Sequence, residues 1–417
     1  MSNLLKAIRG MNDITPAQVR SWQHIETVLR QIVESYGYQE IRFPLLEQTA
    51  LFKRSIGDVT DIVEKEMYSF EDRNGDNLSL RPEGTACCVR AALEHGLLHH
   101  QTPKLWYQGP FYRHERPQKG RYRQFHQLGA EAFGIDTPDI EAELIALSAM
   151  IFERLGLSSK VNLHINTIGN LTSRQCYRTK LQEYFAQYRD QLDEDSLRRL
   201  ETNPLRILDS KNPALAELIA EAPTLTSYLE PASQQRFDQL LAYLDAMGIR
   251  YTLNSTLVRG LDYYNDTVFE WVTQSLGAQA TVCAGGRYDG LVAQLGGSAC
   301  CAVGFGIGIE RLLLLLNDAR TYHCDVYVIA QGSAAQTQAL RTTQTIRRAL
   351  PQLTLLMHCG TAGLKSQFKQ ADKSGAIYAL ILGEEEIAQQ KVTLKYLREE
   401  KPQQMLALED AIRLIST

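Results

Sequence analysis

Val258-Arg-Gly-Leu-Asp-Tyr-Tyr264 and, further on, Ala284-Gly-Gly-Arg-Tyr-Asp-Gly290 are the two stretches on which the reading of this chain turns. Neither has the apolar periodicity of a core-building strand or helix. Each concentrates an arginine, an aspartate, tyrosine and glycine, a composition suited to a small polar pocket where backbone comes close to a ligand. Taken alone, the same residues would also make two ordinary polar turns.

Outward from these runs, the pattern sharpens. Gly304, Gly306 and Gly308 precede Ile309-Glu310-Arg311 and an apolar segment. A dinucleotide loop needs Gly-x-Gly-x-x-Gly, yet position 309 is isoleucine, and no Gly-Lys-Ser/Thr phosphate loop is present. Dehydrogenase and P-loop kinase readings therefore fail. Upstream, 105–113 and 123–133 alternate as two strands joined by a glycine-containing basic loop. Within 112–126 Arg113, Arg116, Lys119, Arg121 and Arg123 stand against Glu115 alone, a local +4 in a chain whose net charge is −4. Such a run is either a solvated hairpin tip or a phosphate-contacting loop.

These stretches resemble the histidyl-tRNA synthetase family. The two opening runs resemble its signature motifs, and Arg9-Gly-Met-Asn-Asp-Ile-Thr-Pro16 belongs to the same match. Tyr38 to Pro44, Tyr107 to Gly134 and Gly304 to Arg311 look like the three motifs of class II aminoacyl-tRNA synthetases. The fold implied is α+β: a class II antiparallel sheet flanked by helices, with a helical insertion and a C-terminal α/β anticodon-binding domain. The expected boundaries are 1–320 for the catalytic domain, with the insertion at 170–250, and 321–417 for the anticodon-binding domain. The implied activity is ATP-dependent ligation of L-histidine to tRNA(His) through a histidyl-adenylate. A paralogue with the same catalytic fold, the regulatory subunit of ATP phosphoribosyltransferase, is the alternative, expected to lack the C-terminal domain and much of the arginine set.

By resemblance, Arg113 and Arg259 are catalytic, holding the α-phosphate and the carboxylate, with Arg259 in a role that a metal plays in other class II enzymes. Arg311 reaches the nucleotide and Arg121 its outer phosphates. Mg²⁺ is expected through the ATP phosphates, with no metal held by protein ligands. Arginine suits this work because its charge and planar fork are fixed at any relevant pH. For histidine, Glu83 is the expected ammonium partner with Thr85 as a further histidine-binding residue, and the match suggests Gln127 for the backbone, Glu131 and Tyr264 for the ring nitrogens, and Tyr263 and Tyr288 lining the pocket. In an extended Arg81-Pro-Glu-Gly-Thr85, Glu83 and Thr85 share a face, as do Gln127 and Glu131 on a strand. A straight strand over 258–264 would point Arg259 and Tyr264 to opposite sides, so an irregularity is expected at Gly260.

Composition sets the outer bounds. With 417 residues, 44% hydrophobic and 22% charged, the chain has material for two or three domains. Its pI near 6.2 argues against indiscriminate coating of nucleic acid, leaving room for local basic sites. Eight cysteines without a Cys-x-x-Cys pair, and a start lacking a signal-peptide core, suggest free thiols in a reducing cytoplasm. Glu310 and Arg311 break the longest apolar stretch, so no membrane span is expected. His95, His99 and His100 read as helix-surface histidines.

After Pro16, Val19, Trp22, Ile25, Leu29, Ile32, Val33 and Tyr36 recur at helical spacing up to Gly37. Tyr38 to Pro44 then alternates as an edge strand, which by resemblance lies at a homodimer interface. Beyond Val161, Leu163 and Ile165, a further strand, residues 170–250 read as mostly helical. From Tyr322 the chain alternates strand and helix and carries 11 Lys or Arg against 9 acids. Lys365, Lys369 and Lys373 form one helical stripe, either a solvated face or a contact for RNA phosphates.

Overall fold

The alternation read over 105–113 and 123–133 produces two long antiparallel strands, Lys104–Tyr112 and Gln124–Phe133, paired along their whole length. They are seen in a computed structural model of the chain. The structure describes residues 4–416 except 58, 59, 61, 209, 211, 259, 260, 262, 278–280, 318, 319, 321 and 322. The chain divides into two units, one of residues 1–15 and 21–318, the other of 16–20 and 319–417.

The larger unit contains strands β1 (Gln39–Glu40), β2 (Leu46–Gln48), β3 (Tyr68–Glu71), β4 (Asn77–Leu80), β5 (Lys104–Tyr112), β6 (Gln124–Phe133), β7 (Asn162–Thr167), β8 (Tyr251–Leu253), β9 (Asn265–Val272), β10 (Thr281–Arg287) and β11 (Ala302–Gly308). Eight of them make one sheet in the order β1-β5-β6-β11-β10-β9-β7-β8, antiparallel from β5 through β7 and parallel at both edges. The strands β2-β4-β3 form a separate small sheet.

Because side chains alternate across a strand, the sheet feeds two cores. On one face Trp106, Leu128 and Ala130 pack with Trp22, Ile25 and Leu29 of α1 (Pro16–Ser35). Burying a leucine or isoleucine side chain of this kind stabilises by about 1.5–3 kcal/mol. Tyr107, Phe111 and Phe133 face the other core, with α2 (Thr49–Ile56) and α3 (Thr85–Glu94). Helix α4 (Asp139–Arg154) joins the first core. Residues 170–250 carry α5 (Leu171–Ala186), α6 (Glu194–Thr202), α7 (Ala216–Ala220) and α8 (Pro231–Ala246), separated by short 3₁₀ turns. Asn170 caps α5 by accepting the Ser173 N–H. A short α9 (Leu291–Gln294) and α10 (Ile309–Leu316) complete the unit.

Two expectations change. Only Gln39–Glu40 of the 38–44 stretch forms a ladder, parallel to β5, with one further bond from the Ile41 N–H to the Trp106 carbonyl at 2.8 Å; Pro44 has no N–H to donate. His95, His99 and His100 lie beyond the end of α3, in the turns that Gly96 starts at φ +64°, rather than on a helix surface.

The second unit has a five-stranded sheet in the order β13-β12-β14-β15-β16, made of β12 (Val326–Ala330), β13 (Leu355–Met357), β14 (Tyr378–Leu382), β15 (Val392–Tyr396) and β16 (Gln404–Leu406). Strand β12 is parallel to both neighbours and buried at every position. Helices α11 (Ser333–Ala349), α12 (Leu364–Lys373), α13 (Glu384–Gln389) and α14 (Leu408–Ser416) complete it. Lys365, Lys369 and Lys373 are exposed along α12. No described helix is long and apolar enough to cross a membrane.

Candidate active site

Glycine content sets the shape of the larger unit's cleft. A Cβ on Gly285 would lie 2.2 Å from the Gly304 carbonyl oxygen, and one on Gly286 2.4 Å from that of Thr267, so β10 can lie against its neighbours only without side chains there. Above these strands lies a cleft with about 950 Å³ of open space, bounded by Gln127, Gly306 and Gly308 and by the hairpin loop that joins β5 to β6.

Three arginines converge on it. Arg113 donates from Nε to the Pro82 carbonyl at 2.8 Å and lies 5.4 Å from the Phe125 ring centroid. Arg121, at the hairpin tip, pairs with Glu115 and, at 3.6 Å, with Glu66. Arg311, at the start of α10, donates from Nε to the Gly120 carbonyl at 3.2 Å and from Nη1 to that of Thr281. Burial, followed by the nearness of Arg113 and Arg121, pushes the Arg311 guanidinium down to about 10. It therefore stays charged at neutral pH, in a place where positive charge is held at a cost that an anion would relieve.

Where β11 gives way to α10, the Glu310 carboxylate accepts the His126 N–H at 2.9 and 3.0 Å and stands 2.9 Å from His126 Nδ1, extending the β6 ladder by a side chain. Gly10, at φ +88°, accepts N–H bonds from Arg123 and Gln124, which seats the chain at Gly10 on the hairpin.

Deeper in, acids and hydroxyls replace the cations. Glu83 accepts the Thr85 N–H at 2.7 Å and the Ala86 N–H at 2.9 Å, closing the N-terminus of α3. Burial raises its carboxyl, opposed by those two N–H bonds and by Arg113. Thr85 and Glu83 meet through this helix start, since β4 ends at Leu80; the extended chain expected over Arg81–Thr85 is not what aligns them. Glu131, fully buried on β6, accepts from Thr85 Oγ1 and Tyr107 Oη on Oε1, both at 2.9 Å, and from Tyr288 Oη on Oε2 at 2.5 Å. Burial raises its carboxyl to about 7 against the pull of these three donors.

Of the residues expected from sequence, Glu83, Thr85, Arg113, Arg121, Gln127, Tyr263, Tyr264 and Arg311 line the cleft. Tyr288 does not line it as expected: like Glu131 it stands behind the lining, with its ring 5.6 Å from that of Tyr263 and 6.3 Å from that of Tyr264. Arg259 and Gly260 lie outside the described residues, so neither that arginine nor the expected irregularity is described. Tyr107, Glu115, Phe125 and Glu310 were not singled out from the sequence and also line the cleft. The nearest signal was their place inside or beside the quoted motif stretches.

Among the described residues no three His, Cys, Asp or Glu side chains gather as a metal site. The acids on the cleft wall are engaged: Glu83 with α3, Glu115 with Arg121, Glu310 with His126. The residues present therefore fit a Mg²⁺ brought on a substrate's phosphates better than one held by the protein alone.

An antiparallel sheet flanked by helices, with an arginine-lined cleft on it, has the architecture of a class II aminoacyl-tRNA synthetase. A family model described as histidyl-tRNA synthetase matches residues 10–312, and one described as an anticodon binding domain matches residues 325–417. The chain is 32% identical to apo histidyl-tRNA synthetase of S. aureus, with TM-score 0.83 over 99% of this chain and 100% of that one. It shares its fold with a histidyl-tRNA synthetase from a Nostoc species at 20% identity and TM-score 0.71, covering 99% of each chain. It also shares it with a Bacillus halodurans protein described as an ATP phosphoribosyltransferase regulatory subunit/histidyl-tRNA synthetase, at 24% identity and TM-score 0.66 over 92% and 99%. The chain belongs to the histidyl-tRNA synthetase family, the histidine–tRNA ligases.

Proposed function

We propose that the cleft activates L-histidine with ATP and passes it to tRNA(His). In the first step the histidine carboxylate attacks the α-phosphorus of ATP, the bond to the β-phosphate oxygen breaks, and pyrophosphate leaves. In the second the ribose hydroxyl at the tRNA 3′ end attacks the adenylate carbonyl, and AMP leaves. No protein nucleophile is required; positioning and neutralisation of developing charge are. The convergence of Arg113, Arg121 and Arg311 on one cleft is the observation that carries this reading.

Arg113 and Arg259 are the residues proposed for the α-phosphate and carboxylate, Arg311 for the nucleotide and Arg121 for the outer phosphates. Mg²⁺, when bound, would neutralise those phosphates. Glu83 faces the ammonium, with Thr85 beside it in the histidine site, Gln127 the backbone, and Glu131 and Tyr264 the two ring nitrogens. A site built to bond both nitrogens leaves buried groups unpaired when another side chain enters, which supports discrimination of order ~10⁴.

The division at 320/321, with an insertion at 170–250, is proposed as catalytic domain and anticodon-binding domain. A homodimer meeting at the 38–44 edge, in the cytoplasm, completes the reading. The anticodon-domain match at residues 325–417 weighs against the regulatory paralogue. The test is product analysis. Incubation of the full chain with ATP, Mg²⁺, labelled histidine and tRNA(His) is expected to yield histidyl-tRNA, AMP and pyrophosphate in equal amounts. Formation of ADP, or label that never enters tRNA, would overturn it.

A further inference from the structure

We propose that Tyr107 is a positioning residue that holds Glu131 as an aimed hydrogen-bond acceptor for the imidazole, with Gly84 and Gly129 making the slot that seats it. The inference rests on the reading of Glu131 as a partner of the substrate ring.

The slot is built from absences. A Cβ on Gly84 would come within 2.1 Å of the Tyr107 ring, and one on Gly129 within 2.2 Å, so the ring occupies the space two ordinary side chains would fill. Gly129 is the register partner of Tyr107 on β6, and Gly84 caps the start of α3. Phe43 meets the ring edge-on at 5.0 Å and Phe111 at 6.3 Å. A ring so enclosed has little rotational choice, and its hydroxyl falls 2.9 Å from Glu131 Oε1.

What this does to Glu131 follows from counting acceptor positions. A carboxylate oxygen accepts about two hydrogen bonds. Oε1 receives Thr85 and Tyr107, which fills it, whereas Oε2 receives Tyr288 alone. A Cβ on Gly304 would lie 1.7 Å from Oε2, so this oxygen too exists in its place only because position 304 has no side chain. Saturating Oε1 leaves the remaining acceptor capacity on Oε2, fixing the direction from which a ring N–H can be received.

Tyr107 also bears on charge. Among the described residues the carboxylate faces Thr85 and Cys88 from α3, Tyr107 from β5, Tyr288 after β10, and more distantly Glu83, Tyr38 and Tyr263, none of them a cation. Burial pushes Glu131 up, and the hydroxyl donors hold it down. Burial also drives the Tyr107 hydroxyl well above its usual range, so it remains a donor. Removing one donor to the ionised form raises the carboxyl further.

The experiment is Tyr107→Phe in the full chain, read by histidine-dependent ATP–pyrophosphate exchange from pH 6 to 9, beside Glu131→Gln. The expected result is a rise in KM for histidine on the order of tenfold, an ATP KM within about twofold of wild type, and an acid limb of kcat/KM for histidine displaced to higher pH. Titration of the substrate's own imidazole is common to both proteins and drops out of the displacement. Gly129→Ala, which drives a methyl into the ring, is expected to give the same histidine-selective loss. Glu131→Gln impaired with Tyr107→Phe unchanged would overturn the inference and leave the pocket reading standing. Equal losses for histidine and ATP with no pH displacement would make Tyr107 merely structural and overturn it too. An unimpaired Glu131→Gln would bring down the pocket reading with it.

Discussion

Asn265 and Asp289 grip each other reciprocally: Asn265 Nδ2 donates to Asp289 Oδ2 at 3.1 Å, and the Asp289 N–H donates to Asn265 Oδ1 at 2.8 Å. The clasp joins the chain just after Tyr264 to the chain just after Tyr288. Asp289 also accepts from Arg287 Nη1 at 3.1 Å, and Arg287 Nε donates to buried Glu141 at 2.9 Å. The second signature run is therefore divided in labour, with Tyr288 aimed at Glu131 while Arg287 and Asp289 hold the loop from behind.

Removing Arg287 takes the 2.9 Å partner from buried Glu141 and leaves it only the longer 3.9 Å pairing with Arg236 among the described residues. Arg287→Met is expected to lower stability by about 3–5 kcal/mol, and Glu141→Leu placed in the same chain to recover part of it. Denaturant midpoints for the single and double variants measure this; a neutral single variant would deny the network its structural role.

The arginines should separate cleanly from it. Arg259→Ala and Arg311→Ala are expected to reduce adenylate formation by roughly 10²–10³-fold with the denaturation midpoint nearly unchanged. Near-normal pyrophosphate exchange by a folded variant would remove that residue from the mechanism.

Glu131 carries a stability cost that depends on pH. An unfolded glutamate titrates near ~4.3, and burial raises the folded carboxyl to about 7. Between those values the folded chain holds a proton that the unfolded chain has released, so this group's contribution to stability falls as pH rises through the window. Glu131→Gln should be more stable than wild type by roughly 3 kcal/mol at pH 8, the difference fading toward pH 4. Thermal unfolding across pH measures it, and a difference that grew toward acid would have the wrong sign.

In the second unit, Lys365, Lys369 and Lys373 stand exposed on α12. Their joint replacement by Gln is expected to raise the KM for tRNA, lower the salt dependence of tRNA binding by up to about three ion equivalents, and leave pyrophosphate exchange unaltered. Unchanged charging kinetics would return the stripe to a solvated face.

Much of this was legible in the residues. Periodicity gave α1, whose apolar stripe meets one core, and β5 and β6, whose alternating side chains feed a core on each face of the sheet. The edge strand was overestimated, since alternation predicts an extended chain and says nothing of whether a neighbour is there to bond. Glu83 and Thr85 were rightly paired for the wrong geometric reason: helix starts depend on cap contacts that a strand template cannot represent. Tyr107 was missed because its meaning lies in Gly84 and Gly129, one on a different element and one across a register, and proximity of that kind is set only by folding.

The most direct test is pyrophosphate exchange by the purified full-length chain with each of the twenty amino acids in turn. The account predicts ATP–pyrophosphate exchange with histidine alone. Exchange with a different amino acid, or none with any from a folded chain that binds ATP, would contradict it.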